Sequence, residues 1–240
     1  MLKSCKLSHK LSPDFTQVLT LALELFNASK GYYDITVASK LVVDHQLPDH
    51  LQLANDSELL SRLGNSSNLS ISNNTLMNTK PVLVDLGGIA KGFAVDSAIR
   101  MIPKSIQFTI NAGGDMAMSH WQQASVSLKY AKRPSALKKV SMLASSVATS
   151  ADYNQENNKE NTQGVNSHII NPRQSDDVNR QIAHHFKGCV SVFADTTMLA
   201  DALTKVVVLL KPKAAKNILE QFNAKAVLLN RFGFKRQINT

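Results

Sequence analysis

Phe15, Val18, Leu19, Ala22, Leu25 and Phe26 recur at helical spacing and predict a helix over residues 13–30. Ser12 is placed to cap it, Pro13 suits its first turn, and Gly31 stops it. A short helix follows at 56–63, with Asp56 as its cap. Apolar and polar positions alternate at 69–72 and 75–78 around Asn73 and Asn74, the pattern of a hairpin. The run Pro81-Val82-Leu83-Val84-Asp85-Leu86 reads as a buried strand, and 89–101 as a helix. Further strands are expected at 106–110, 125–130, 140–143, 167–170 and 189–193. A long apolar helix is expected at 197–210, a second helix at 214–222, and a closing hairpin from 226–229 and 232–235. Strands come in runs with helices inserted between them, so the predicted class is α+β rather than strict βαβ alternation. Residues 154–166 are polar throughout and predict a mobile loop; no internal repeat is visible.

A chain of 240 residues has room for one large domain or two small ones, and 43% hydrophobic against 19% charged residues is a globular balance. With only Cys5 and Cys189, a disulfide scaffold is excluded; the two either pair or remain free thiols. The longest apolar run, 206–210, is far short of the ~20 residues of a spanning helix, so no transmembrane segment is expected. The net charge of +9 changes the picture more. Basic residues gather at Lys129, Lys132, Arg133, Lys138 and Lys139, and again over 211–216 and 231–236. They are not interleaved with aromatics, and no nucleic-acid-binding motif accompanies them, so no nucleic-acid partner is expected. A solvated face, or a field that draws in an anionic ligand, is the remaining reading. No apolar segment suited to export precedes the first helix, which predicts a cytoplasmic protein as the chain is written.

Four constellations could carry chemistry. In Val84-Asp85-Leu86-Gly87-Gly88-Ile89-Ala90-Lys91-Gly92-Phe93-Ala94-Val95-Asp96, a strand runs through two glycines into a helix. A helix N-terminus with Lys91 in its first turn favours phosphate, although an ordinary strand-to-helix turn has the same pattern. Asn111-Ala112-Gly113-Gly114-Asp115-Met116 sets another carboxylate beside a glycine pair, suited to a ligand, to the first loop, or to a plain hairpin turn. Ala148-Thr149-Ser150-Ala151-Asp152-Tyr153 is followed, beyond the polar loop, by Ser167-His168-Ile169-Ile170-Asn171-Pro172. In Ala200-Asp201-Ala202-Leu203-Thr204-Lys205, the residues Asp201, Thr204 and Lys205 fall at i, i+3 and i+4 on one helix face. A carboxylate and a hydroxyl one turn apart can offer oxygen to Mg²⁺; an Asp–Lys pair across one turn is the plain alternative. No Cys/His spacing suits zinc, and His184-His185 stand as a lone pair.

Taken in order, these segments, together with Gly31-Tyr32-Tyr33-Asp34, resemble the ApbE family of FAD:protein FMN transferases. The resemblance runs from about residue 12 to 210, and the 85–96 run is its most specific part. It implies a T-fold-like α+β architecture of mixed and antiparallel sheets with packed helices. That fold would form a single domain over 1–240, in two lobes with FAD between them. It implies Mg²⁺-dependent transfer of FMN from FAD to a Thr or Ser hydroxyl of an acceptor flavoprotein subunit, or a non-catalytic FAD-binding or structural relative. Carried residue by residue, it implies that Tyr32, Tyr33, Asp34, Asp85, Lys91 and Ile169 contact the cofactor. His168 and Asp201 would be catalytic, and the Gly88 carbonyl and Asp201 would bind metal with Thr204 or Lys205.

The departures from the family pattern shape these expectations. Lys205 stands where the family has Thr or another small residue, Asn171 for an Asp, and Ala151 for a Gly. An ammonium beside Mg²⁺ is repelled by roughly 4 kcal/mol per unit charge pair at about 4 Å and an effective dielectric near 20. Either Lys205 turns away and lends only its carbonyl, or Thr204 substitutes, or the metal site is lost. The family also carries roughly 60–90 further residues ahead of the first helix, which implies that the N-terminal part of the fold is absent here. A truncated chain would be periplasmic rather than cytoplasmic, and its uncovered sheet edges predict a homo-oligomer.

Overall fold

The structure is a computed structural model that describes residues 7–49, 52, 56–131, 135–151, 169–173 and 186–238. The expected loop at 154–166, the pair His184-His185, and Cys5, Ser167 and His168 lie outside the described residues. The chain divides into two units: unit 1 from Met1–Leu86 and His168–Arg173, and unit 2 from Gly87–Ser167 and Gln174–Thr240. The division falls inside the 85–96 run, between Leu86 and Gly87.

Unit 1 is built on α1 (Pro13–Ala28) and a three-stranded antiparallel sheet in the order β1 (Leu7–Lys10), β3 (Thr75–Asn78), β2 (Leu69–Ser72). The Ser12 hydroxyl accepts the Phe15 N–H at 3.2 Å, and Pro13 occupies the first turn, as the sequence predicts. Val18, Leu19, Ala22 and Leu25 form the buried stripe of α1, whereas Phe15 is exposed. The hairpin is in register from Leu69↔Asn78 to Ser72↔Thr75. Its turn residues, Asn73 and Asn74, take φ of 48° and 56°, the left-handed values that asparagine tolerates. β1 pairs with β3 and was not predicted; nor was α2 (Ala38–Val43). α3 (Ser57–Arg62) starts at Asp56, whose side chain accepts the Leu59 N–H. Residues 81–86 do not form the buried strand that their apolar run predicts. They join no ladder among the described residues and are half-exposed beyond Pro81, and the Asp85 N–H donates to the Ile35 carbonyl at 2.7 Å.

Unit 2 is a six-stranded antiparallel sheet in the order β11-β10-β9-β8-β5-β4. These strands are β4 (Thr109–Ala112), β5 (Asp115–Met118), β8 (Ser146–Ala151), β9 (Cys189–Ala194), β10 (Lys225–Leu229) and β11 (Lys235–Ile238). The predicted strand at 106–110 is displaced to Thr109–Ala112, because Gly113 and Gly114, with φ of 66° and 104°, turn the chain straight into β5. The predicted final strand at 232–235 slips to Lys235–Ile238, since the Asn230 side chain gathers the Phe232 and Phe234 N–H groups into a longer turn. One face of the sheet carries α4 (Ala90–Arg100) and α5 (Thr197–Leu209), which pack on β4 and β5 and on β8 and β9 respectively, and on each other. α6 (Pro212–Gln221) packs beside α5 and β10.

A second hairpin, β6 (Ser125–Lys129) with β7 (Leu137–Ser141), supplies Val126, Leu128 and Val140 to a core shared with Val147, Cys189, Phe193, Val227 and Leu229. Side chains of β9 alternate between this core and the α5 face, which is why all six of its residues are buried. Among the described residues, no helix is long and apolar enough to cross a membrane.

Cys189 is a free thiol with no exposed surface, and its burial pushes its pKa up to about 11. Its folded pKa lies above its unfolded value of 9.0, so its contribution to stability is intact below pH 9 and lost as pH rises toward about 11. In a Cys5→Ser variant at pH 8, Cys189 is expected to resist a disulfide reagent until denaturant is added. Modification of the native protein at the rate of a free thiol would contradict the burial.

Candidate active site

α5 is apolar and buried almost all round. Only Leu199 and Lys205 of its thirteen residues escape burial. A helix buried on every side belongs in a core, and a carboxylate within it needs compensation. Asp201 is that carboxylate, 1% exposed. Its Oδ1 accepts from the ammonium of Lys205, one turn along, and Lys205 Nζ also donates to the Asp201 carbonyl at 3.0 Å. Its Oδ2 accepts the Gly92 N–H at 3.4 Å and lies 3.9 Å from Lys91 Nζ.

Lys91, in the first turn of α4, is ion-paired with Asp115, the first residue of β5 and again 1% exposed. Two buried carboxylates and two ammonium groups therefore meet at one place in unit 2. Burial opposes charge on Lys91, but the Asp115 hydrogen bond and the charges of Asp201 and Asp115 outweigh it and raise its pKa above 10.5. Burial, then the charge of Asp201, push the Asp115 carboxyl above its ordinary 3.8; Lys91 and Lys205 offset only part of this.

Gly92 and Asp96 of the 85–96 run hold together the two helices that carry this site. Gly92 lets α4 lie directly on the start of α5: a Cβ there would come within 2.4 Å of the Thr197 carbonyl oxygen. One turn on, the Asp96 carboxylate accepts the first N–H groups of α5, from Thr197 at 2.8 Å and Met198 at 2.9 Å. These bonds lock the two helices that carry Lys91 and Asp201. The Thr204 hydroxyl donates to the Asp201 carbonyl at 2.7 Å and pairs with Ser150 of β8 at 2.7 Å.

In unit 1, Tyr32 and Tyr33 are buried, and the Tyr33 N–H donates to Ser29 Oγ at 2.8 Å. Asp34 Oδ1 accepts from the Thr36 N–H, the Thr36 hydroxyl and the Ser66 hydroxyl, so it braces the loop after Tyr33. Ile169 is buried, and Asn171 accepts the Arg173 N–H through its side chain. His168 lies outside the described residues. Asp115, Gly92, Asp96 and Ser150 went without an assigned role in the sequence. The Gly-Gly-Asp segment held the one clue, a glycine pair beside a carboxylate that suits backbone contact with the first loop or a hairpin turn, and the turn is what Gly113 and Gly114 make.

The model of the ApbE family matches residues 3–229. The chain belongs to the ApbE family. Solved ApbE structures share its α+β fold. That of the flavin transferase ApbE from Vibrio cholerae matches at 21% identity and a TM-score of 0.73, covering 98% of this chain and 78% of the other. The flavinyl transferase ApbE of Pseudomonas stutzeri, in its apo form, matches at 20% identity and 0.73, covering 98% and 75%. The ApbE protein of Thermotoga maritima matches at 19% identity and 0.76, covering 97% and 78%. At these identities the likeness establishes the fold. No curated protein matches the sequence.

The ApbE resemblance implies a divalent cation held by the Gly88 carbonyl, Asp201 and a residue at 204 or 205. The donors here do not fit one. Mg²⁺ seeks a near-octahedral set of oxygens. Both Asp201 oxygens are already engaged, the Thr204 hydroxyl is turned to Ser150, and the Lys205 ammonium occupies the carboxylate. Among the described residues, no group of three or more His, Cys, Asp or Glu side chains could hold a metal ion.

Proposed function

We propose that this ApbE-family protein transfers FMN from FAD to a Thr or Ser hydroxyl of an acceptor flavoprotein subunit. The observation that carries the reading is the family match over residues 3–229. Relatives with the same fold from Vibrio cholerae and Pseudomonas stutzeri are flavin transferases, which supports it. The exposed Lys91 ammonium in the first turn of α4 also suits a diphosphate-bearing substrate.

In the proposed reaction the acceptor hydroxyl oxygen attacks the FMN phosphorus of FAD. A new P–O bond forms as the pyrophosphate P–O bond breaks, AMP leaves, and the hydroxyl proton passes to a base. Positioning and charge neutralisation do most of the work in such transfers. The reading gives Lys91 and Asp85 the diphosphate side of FAD, and Tyr32, Tyr33, Asp34 and Ile169 the rest of the cofactor. Asp201 orients the ammonium groups, and His168 serves at the reacting phosphate.

The test is chromatographic. The full chain is incubated with FAD and a hydroxyl-bearing acceptor, with and without Mg²⁺. Release of AMP with a matching gain of covalent flavin on the acceptor is expected. FAD that binds yet stays intact under both conditions would replace the transfer reading with that of a flavin-binding relative. FAD that neither binds nor reacts would remove both.

A further inference from the structure

We infer that the carboxylate site of unit 2 carries its cation within the chain: Lys205, assisted by Lys91, neutralises Asp201 and Asp115, and the site takes a diphosphate anion without a divalent metal. Two desolvated carboxylates cannot stand uncompensated. Here two ammonium groups cancel them, so no excess negative charge remains to attract a metal ion. Lys205 also fills the space such an ion would need. Its ammonium contacts Asp201 Oδ1 and the Asp201 carbonyl, and its stem runs over Gly88, where a Cβ would lie 3.2 Å from Lys205 Cε and 3.6 Å from Cδ. The same side chain thus meets both Gly88 and Asp201.

Accessibility adds the ligand class. The Asp201 and Asp115 side chains are 1% and 2% exposed, whereas Lys205 and Lys91 are 20% and 53% exposed. The carboxylates are sealed and the ammonium groups are what solvent meets. An ammonium is a compact point charge with three donors, suited to phosphate oxygens. Lys205 spends donors on Asp201, which holds its stem in place, while Lys91 sits at the N-terminal turn of α4. A diphosphate would meet protein cations directly. That the diphosphate belongs to FAD rests on the proposed function; the exclusion of metal does not.

The test has two arms, both on the full chain. In the first, Mn²⁺ is titrated and followed by its paramagnetic resonance signal. The wild type is expected to bind no stoichiometric Mn²⁺, and Lys205→Thr and Lys205→Ala to gain one site each, lost again when Asp201→Asn is added. One Mn²⁺ per wild-type chain that disappears in Asp201→Asn would overturn the inference. So would two folded Lys205 variants that gain no Mn²⁺. In the second arm, FAD and inorganic pyrophosphate are titrated in EDTA and in excess Mg²⁺. Affinities that agree within about twofold, roughly 0.4 kcal/mol, are expected for the wild type. A gain of tenfold or more with Mg²⁺ would count against it. Pyrophosphate binding without FAD binding would sink the flavin reading and leave this one standing.

Discussion

Gly92→Ala is expected to destabilise unit 2 by about 3 kcal/mol or more, an overpacking cost at the upper end of such substitutions. Helix propensity alone predicts the opposite sign, since Ala is better than Gly in a helix interior by about 1 kcal/mol. The geometry decides between them. A Cβ on Gly92 would lie 2.4 Å from the Thr197 carbonyl oxygen and 2.6 Å from both the Thr197 carbonyl carbon and Met198 Cα. All three are backbone atoms, so no rotamer change can relieve the clash. Separating the helices would stretch the Asp96 bonds to the Thr197 and Met198 N–H groups and the contact of the Gly92 N–H with Asp201. A fall in melting temperature of roughly 6–12 °C follows if 1 kcal/mol is worth about 2–4 °C at this size. Denaturant unfolding of the variant measures the same quantity, and a variant as stable as the wild type, or more so, would sink the argument.

The elements visible in the sequence are those fixed by local chemistry. The Ser12 cap with the Pro13 first turn, the Asn73-Asn74 turn and the apolar run of α5 each act within a few residues. The elements that escaped are fixed at long range. β8 reads Ser-Val-Ala-Thr-Ser-Ala, a run with few large apolar residues, and becomes a central strand through its pairing with β9 and its Ser150 bond to Thr204. Val82-Leu83-Val84 has a strand composition but forms no ladder among the described residues.

The site divides in the same way. Asp201 and Lys205 are one helical turn apart, so their pairing is legible from spacing alone. Asp115 meets Lys91 across 24 residues and Asp96 meets Thr197 across 101. No local pattern distinguishes those carboxylates from solvated ones. Within the 85–96 run the ApbE resemblance implied ligand roles for Asp85, Gly88 and Lys91 and none for Gly92 and Asp96, which hold α4 to α5.

Asp201→Asn is expected to keep its stability and lose the function, and Asp201→Ala to lose the function together with part of its stability. Asparagine retains an oxygen for the Gly92 N–H and the shape of the side chain, but it no longer offsets the ammonium groups. Alanine leaves Lys205 without its carboxylate and the Gly92 N–H without its acceptor. Breaking a buried pair on one side costs about 3–5 kcal/mol; Lys205, 20% exposed, can swing toward water and holds the cost near the lower figure. Flavin transfer should fall by roughly 10²-fold or more in both variants, as when a preorganised electrostatic group is removed.

A second readout separates the electrostatic role from simple structural loss. In the wild type, burial and the charge of Asp201 together raise the Asp115 pKa. Removing the Asp201 charge while burial persists should lower it. The sign for stability follows from the raised folded value. The Asp115 contribution is fully present below its unfolded pKa and is lost as pH rises through the folded one. In Asp201→Asn that loss should therefore finish at lower pH and be smaller. Carbon-13 NMR of the Asp115 carboxyl across the acid range gives the shift directly. A titration midpoint that stays put, or moves upward, in a folded Asp201→Asn protein would mean that the two carboxylates do not share one field.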